Sequence, residues 1–383
     1  MTYDFDSIVN RHRTDSVKWN RFGEDVLPLW VADMDFPSPP PIINAIKDRL
    51  DHGVFGYPLT QESTKNSICG WMLRRHNWRI SPEDILLFPG VVPAFNIASR
   101  ATTNPGDSVL IQTPAYHPFF DIPKNLNIQA NLHPLKYFSG GRYGIDIHDF
   151  LKTLMPSTRI FMLCNPHNPT GRVFLEDELR SMAEVCLERN IIICSDEIHS
   201  DIVYPPNRHI PIASLSREIS DITITLVSPS KTFNIAGLKS SAVIIKNKSL
   251  RERFLLYARG AGGFVNILGC AALEASYNHC EDWLNELLVY LENNRQILAD
   301  FIQSELPGVN FYLPEGTYLG WLDFRATGLK DPGAYLLENA RVALNSGEWF
   351  GDEYGGFVRL NFGCPSSILL TALERIKSSL VSP

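Results

Sequence analysis

The strongest constraint on the fold is a pattern that recurs along the chain: an apolar run that breaks off abruptly in polar residues. Ile222-Thr-Ile-Thr-Leu-Val227 runs into Ser228-Pro-Ser-Lys231-Thr-Phe-Asn-Ile-Ala-Gly-Leu-Lys239. Arg159-Ile-Phe-Met-Leu-Cys164 runs into Asn165-Pro-His-Asn168-Pro-Thr-Gly171, and Ile191-Ile-Ile-Cys-Ser195 into Asp196-Glu-Ile-His199. Ser108-Val-Leu-Ile-Gln112 ends in Thr113-Pro-Ala-Tyr116-His-Pro, and Ile85–Phe88 in Pro89-Gly90-Val91-Val92-Pro93. Short runs rich in branched residues read as buried strands. Helical patterns separate them. Between Glu176 and Arg189, for example, Leu179, Met182, Ala183 and Cys186 share one face and acidic residues fill the first turn. Strands alternating with helices over residues 85–245 predict an α/β fold with a mainly parallel sheet covered on both faces.

Ligands of such sheets sit beyond the carboxyl ends of the strands. Tyr116, Asn168, Asp196, His199 and Lys231 all fall there. A lysine at a buried strand end forms imines when its surroundings lower its pKa, and pyridoxal phosphate (PLP) enzymes are the main users of that chemistry. On this reading Lys231 carries a Schiff base, and Ser228, Ser230 and Lys239 hold a phosphate beside it. Asp196 would keep the pyridine nitrogen protonated, because a nearby negative charge favours the protonated form. Asn168 or His199 would donate to the phenolic oxygen, and Tyr116 would stack on the ring. Gly90 turns the chain into a helix N-terminus whose free N–H groups suit an anion, although helix capping explains the glycine equally well. In Val358-Arg359-Leu-Asn361-Phe, Arg359 and Asn361 share a face, and the arginine fork matches a carboxylate.

Other uses of the same residues are open at this point. Ser228-x-x-Lys231 matches a serine acyl-transfer element, but its partner motifs are replaced by Ser195-Asp-Glu and Lys231-Thr-Phe. Asp196-x-x-His199-x-Asp201 lacks the two-histidine helix face of zinc hydrolases. Asp196 also suits a helix N-cap, Tyr116 and Tyr57 suit packing, and Arg359 suits an exposed strand face.

A chain of 383 residues is too long for one small core. The expected division is an N-terminal arm over 1–45 that packs with the small domain, a large domain over 46–280 and a small C-terminal domain over 281–383. The net charge of −7, without a basic block, argues against a nucleic-acid partner. No apolar run approaches the roughly 18 residues of a membrane helix, and the opening residues lack the pattern of a signal peptide. Seven scattered cysteines with no Cys-x-x-Cys pair point to free thiols and a cytoplasmic setting, with no metal site.

Four prolines within 37–41 predict irregular chain there, with helices over 42–50, 63–76 and 91–102 beyond it. A long helix over 283–302 leads toward strands at 318–324 and 357–362 and a last helix from Ser367.

Taken in order, Asn168-Pro-Thr-Gly171, Asp196-Glu-Ile-His199, Ser228-Pro-Ser-Lys231 and Arg359-Leu-Asn361 resemble the signature of fold-type I PLP enzymes of the class I/II aminotransferase superfamily. Trp30-Val-Ala-Asp-Met-Asp-Phe36, Phe55-Gly-Tyr57, Pro89-Gly-Val-Val-Pro93, Tyr116-His-Pro and Asp196-Glu-Ile-His-Ser-Asp201 resemble its cystathionine β-lyase or C–S lyase branch, which includes cystalysin. The resemblance implies a large domain with a mainly parallel sheet of the seven-stranded type and a smaller α/β domain. It makes Lys231 the Schiff-base lysine and Cα base, Asp196 the partner of the pyridine nitrogen, Asn168 the phenolic-oxygen donor and Tyr116 the stacking ring. Val91, Val92, Ser228, Ser230 and Lys239 become the phosphate cup, and His199 a further cofactor contact. Arg359, with Asp33 and Tyr57, is implied at the substrate, Tyr57 reaching the neighbouring subunit of a homodimer. The implied reaction is α,β-elimination from a cysteine S-conjugate. L-cystathionine is the default substrate, giving homocysteine, pyruvate and ammonia. Transamination is the nearest alternative, and a catalytically silent PLP-fold regulator the alternative of another class. Aspartate aminotransferases carry tyrosine where His199 stands, Lys239 replaces a frequent arginine, and Gly260–Gly263 and Cys364–Ser367 depart from the branch pattern.

Overall fold

The alternation of apolar runs builds a sheet whose two faces are both buried. In the computed structural model, which describes residues 2–59, 62–138, 142–261 and 263–381, seven strands pair in one sheet. In chain order they are β1 (Ile85–Phe88), β2 (Ser108–Thr113), β3 (Gln129–Pro134), β4 (Thr158–Cys164), β5 (Ile192–Asp196), β6 (Thr223–Val227) and β7 (Ser241–Ile244). Their spatial order is β1-β7-β6-β5-β4-β2-β3. All neighbours are parallel except β7, which runs antiparallel to both β6 and β1.

Period-two alternation sorts the side chains into two cores. Val109, Ile111, Ile160, Met162, Cys164 and Cys194 pack on one face, with Ala94, Phe95 and Ala98 of a helix over Val91–Thr102. Leu110, Phe161, Leu163 and Ile193 pack on the other, against Leu179, Met182 and Cys186 of a helix over Glu176–Glu188. Polar residues at the strand ends are therefore held from two sides by packed apolar layers. The expected strand and helix bounds hold to within a few residues throughout.

The proline-rich segment departs from expectation. A helix covers Pro40–His52, with Pro40 and Pro41 inside its first turn. Proline is tolerated there because the first N–H groups of a helix have no internal partner. A second sheet contains Asn310–Tyr312, Leu319–Asp323, Phe357–Asn361 and Asn345–Ser346, backed by the long helix Glu281–Glu305 and the last helix, Ser366–Val381.

The N-terminal segment is tied to this part of the chain. Leu27–Pro28 pairs in parallel with Val342–Ala343, and the Asn361 N–H donates to the Leu29 carbonyl. A buried ion cluster fixes the stretch around Asp33 and Asp35. Lys18, with no exposed side-chain surface, lies 2.7 Å from Asp35 Oδ2 and donates to the Asp33 carbonyl, while Arg11 pairs with both Asp33 and Asp35. Asn234, three residues past Lys231, clamps the same stretch through Met34 and Phe36. Of Gly260–Gly263, Gly262 lies outside the described residues. No helix among the described residues is long and apolar enough to cross a membrane.

Candidate active site

Five strand ends and the N-terminal segment converge on one cavity of about 320 Å³. β5 delivers Asp196 on the side of the sheet that Cys194 faces. β4 ends in Asn165-Pro-His-Asn168-Pro-Thr-Gly171, where Gly171 holds φ +67° and a Cβ would lie 2.2 Å from Pro314. Only glycine fits this turn. β6 ends in a one-turn helix, Pro229–Thr232, capped by the Ser228 hydroxyl, which accepts the Ser230 N–H. Lys231 thereby projects from a fixed turn. After β1, Gly90 at φ +115° turns the chain into the helix starting at Val91, so the N–H groups of Val91 and Val92 lack helical acceptors. The second sheet contributes Arg359, and the N-terminal segment contributes Trp30, Val31 and Ala32.

Among the described residues, Asp196, Lys231 and Arg359 are the Asp, Glu, Lys and Arg side chains lining this cavity. Lys231 Nζ donates to the Ala32 carbonyl at 2.6 Å, and the Tyr318 hydroxyl donates to the same oxygen at 3.0 Å. Burial, with the Arg359 charge, pulls the Lys231 ammonium down to about 8, against the opposing attraction of Asp33 and Asp196. Burial pushes Asp196 up to about 7. Its Oδ1 accepts the Ile198 N–H at 3.1 Å, and no donor among the described residues reaches Oδ2. Burial, then the Lys231 and Arg359 charges, hold His199 far below the usual imidazole range, so its ring is neutral and its buried Nδ1 has no partner. Burial also brings Arg359 down to about 10. Its guanidinium donates to Asn168 Oδ1 (2.8 Å), Asn345 Oδ1 (2.7 Å) and the Trp30 carbonyl (2.9 Å). Guanidinium has five N–H donors, so two are left over, including a buried Nε–H that has no acceptor.

The cavity gathers Val91, Tyr116, Asn168, Asp196, His199, Lys231 and Arg359. Other candidates lie elsewhere. The Ser228 hydroxyl is spent internally, since besides capping it donates to the Ser240 carbonyl at 2.6 Å. Val92, Ser230 and the exposed Lys239 are outside the cavity lining, although the Lys239 charge still reaches Lys231. Asp33 also lies outside the cavity lining, although its charge reaches Lys231. Its carboxylate pairs with Arg11 at 2.8 Å and lies 3.6 Å from Lys18. Tyr57 is 99% exposed, beside Phe264, and does not enter this cavity within one chain.

The residues missed in the sequence include Ala32, Trp30, His117, Cys164, Asn345, Trp349 and Phe350, which also line the cavity. Cys164 was legible as the last residue of an apolar strand. Asn345, Trp349 and Phe350 sit in short, irregular elements whose placement depends on pairing with residues distant in the chain.

The family of class I and II aminotransferases matches residues 24–376. The cystathionine β-lyase PatB of Bacillus subtilis is 44% identical over 98% of this chain and 100% of its own. The crystal structure of cystalysin from Treponema denticola, which contains a pyridoxal 5'-phosphate cofactor, superposes with a TM-score of 0.95 at 37% identity, covering 99% of each chain. The PLP-bound C–S lyase of Staphylococcus hominis superposes at 0.93 with 33% identity, again over 99% of each chain.

Proposed function

We propose that this chain, which belongs to the class I and II aminotransferase family, is a PLP-dependent carbon–sulfur β-lyase that cleaves cysteine S-conjugates such as L-cystathionine. The observation that carries the reading is a single cavity in which Lys231, Asp196 and Arg359 converge and burial moves the pKa of each toward its neutral form, leaving Arg359 still charged at neutral pH. Relatives named for this activity support it.

The residues present fit the cofactor. The buried Asp196 has an oxygen without a donor, which suits a protonated ring nitrogen. The unpartnered Nδ1 of His199 and the N–H groups at Val91 and Val92 are open to oxygen or nitrogen atoms of a ring and its phosphate. Tyr116 lines the wall from the β2 end. When bound, PLP supplies the electron sink that makes loss of the Cα proton of an amino acid feasible.

The rest is done by the chain. Arg359 takes the α-carboxylate on its two spare N–H groups, its fork held by Asn168 and Asn345. Lys231, depressed to about 8, has an amine fraction at neutral pH that accepts the Cα proton. The Ala32 carbonyl, fixed by the Arg11–Lys18 cluster, orients that amine at 2.6 Å. Asp196 would hold a protonated ring nitrogen, whose charge would in turn favour the ionised carboxylate that burial alone pushes up to about 7. Departure of the thiolate from Cβ, with hydrolysis of the remainder, gives homocysteine, pyruvate and ammonia from L-cystathionine and water. Transamination would use the same residues but leave the Cβ–S bond intact.

Tyr57, on an exposed apolar segment with Phe55 and Phe264, fits a homodimer in which it reaches the partner's site. Seven free thiols support a reducing, cytoplasmic setting. The test is product balance: the PLP-loaded protein, given L-cystathionine without a keto acid, should release thiol and pyruvate one to one over many turnovers. Amino-group transfer with no thiol release would overturn the reading.

A further inference from the structure

The strand end that carries Asp196 is a wall between two cavities. Asp196, Ile198 and His199 line the catalytic one, while Ser200 and Asp201 line a second of about 420 Å³ on the other side. Glu197 belongs to the second side as well, because its Oε2 lies 2.9 Å from His209 Nε2 there. The division follows the turn that succeeds the strand: β5 ends at Asp196, Ile198 and His199 stay on the catalytic side, and the chain then carries Ser200 and Asp201 to the other.

The polar groups of the second cavity are unbalanced. Two carboxylates line it, Asp201 and Glu176. Asp201 is already saturated: it accepts from Trp71 Nε1 (2.9 Å) and Thr232 Oγ1 (3.0 Å) and pairs with His76 Nε2 (3.0 Å). Burial opposes its ionisation, but these contacts, led by His76, hold it below the usual carboxylate value. Glu176 pairs with Arg180 at 2.9 Å. The groups left over are cationic. Arg208 has no hydrogen-bond or ion-pair partner among the described residues. Arg74 and Arg75 share one carboxylate, Glu281, at 3.4 and 3.5 Å; Arg74 also donates to the Tyr277 carbonyl (2.7 Å) and Arg75 to Asn285 Oδ1 (3.1 Å), and both lie against the Trp71 ring. His209, also in the lining, has a side chain 1% exposed and a buried Nδ1 with no partner, although Nε2 is held by Glu197. A buried polar atom without a partner is costly. With Nε2 held by Glu197, the Nδ1 edge of the ring is the one left for a ligand in the cavity.

We propose that this second cavity binds a small multivalent anion, bearing several carboxylates or a phosphate, held by Arg208, Arg75 and the His209 ring. The bound anion acts on catalysis as an effector. It touches the segment that places Asp196 and His199, and Asp201 bonds to Thr232, the neighbour of Lys231. The two cavities share no lining residue.

The test is calorimetric titration of the PLP-loaded protein with citrate and, separately, inorganic phosphate at constant ionic strength set with sodium chloride. Saturable binding is expected for at least one of the two, and comparison of the pair separates a carboxylate from a phosphate ligand. Arg208→Ala, an exposed change, should weaken that binding about tenfold, the loss of one charge-assisted contact, with unchanged kcat/KM in chloride alone. Arg75→Gln, which retains packing over Trp71, should weaken it similarly. In the wild type, kcat/KM should change with a midpoint matching the binding curve. No saturable heat with either anion, equal affinity in the wild type and Arg208→Ala, or kcat/KM flat across the binding range would overturn the proposal.

Discussion

Replacing Arg359 by lysine keeps a positive charge at the base of the cavity but removes the planar fork. The fork now serves Asn168, Asn345 and the Trp30 carbonyl and keeps two N–H groups for a substrate carboxylate. An ammonium has three donors in all. If it satisfies the three protein acceptors, nothing is left for the substrate; if it turns to the substrate, buried acceptors go unpaired. Either way one or two charge-assisted hydrogen bonds are lost, at a combined cost of about 2–4 kcal/mol, or about 30- to 1,000-fold in kcat/KM. The carboxylate's charge does not change during reaction, so the loss should appear mainly in KM. The assay is steady-state pyruvate release from L-cystathionine by wild type and Arg359→Lys. A substrate lacking the α-carboxylate completes the cycle: it should cost the wild type a similar factor and cost Arg359→Lys little more. Arg359→Lys within about threefold of the wild-type kcat/KM, well under 1 kcal/mol, would refute the assignment, as would equal use of the decarboxylated substrate by the wild type.

Three further outcomes are expected. Asp196→Asn should abolish turnover yet stabilise the cofactor-free protein, because burial raises this carboxyl from 3.8 to about 7. The folded state holds the proton more tightly than the unfolded state, so the wild type loses stability as pH rises from 4 to 7. The advantage of the asparagine should therefore grow over that window toward about 4 kcal/mol, and thermal unfolding of both apoproteins at pH 4 and pH 8 checks it. Lys18→Met leaves Asp35 with Arg11 and Trp19 but strips a fully buried partner at 2.7 Å; a loss of about 3 kcal/mol should lower the melting temperature, and kcat should fall as Ala32 loosens. Tyr57→Phe should reduce activity while sedimentation shows the same assembly; unchanged activity would remove Tyr57 from the site.

Much of this was legible in the sequence because it rests on local rules. Buried parallel strands are continuous apolar runs, so β4, β5 and β6 announced themselves. Once their ends were located, Asn168, Asp196 and Lys231 fell together by topology alone. What stayed hidden depends on contacts between distant segments. Arg359 meets Trp30 across 329 positions, and Lys231 meets Ala32 across 199. Neither pairing has a local signal. Asp33 was implied at the substrate only by the resemblance of its motif. The folded chain commits it to Arg11 and Lys18, two cations on a stretch with no strong pattern of its own. The second cavity was likewise invisible, since it required knowing that Glu197, Ser200 and Asp201 turn away from the face that Asp196 occupies.

The central claim is that the Cβ–S bond breaks after Lys231 takes the Cα proton. It is tested most directly by the visible spectrum of the PLP-loaded protein during reaction with excess L-cystathionine and no keto acid. The account predicts that the yellow form persists at its initial intensity while thiol accumulates far beyond the enzyme concentration. Bleaching after a single equivalent of substrate, with colour restored only by an added keto acid, would contradict it.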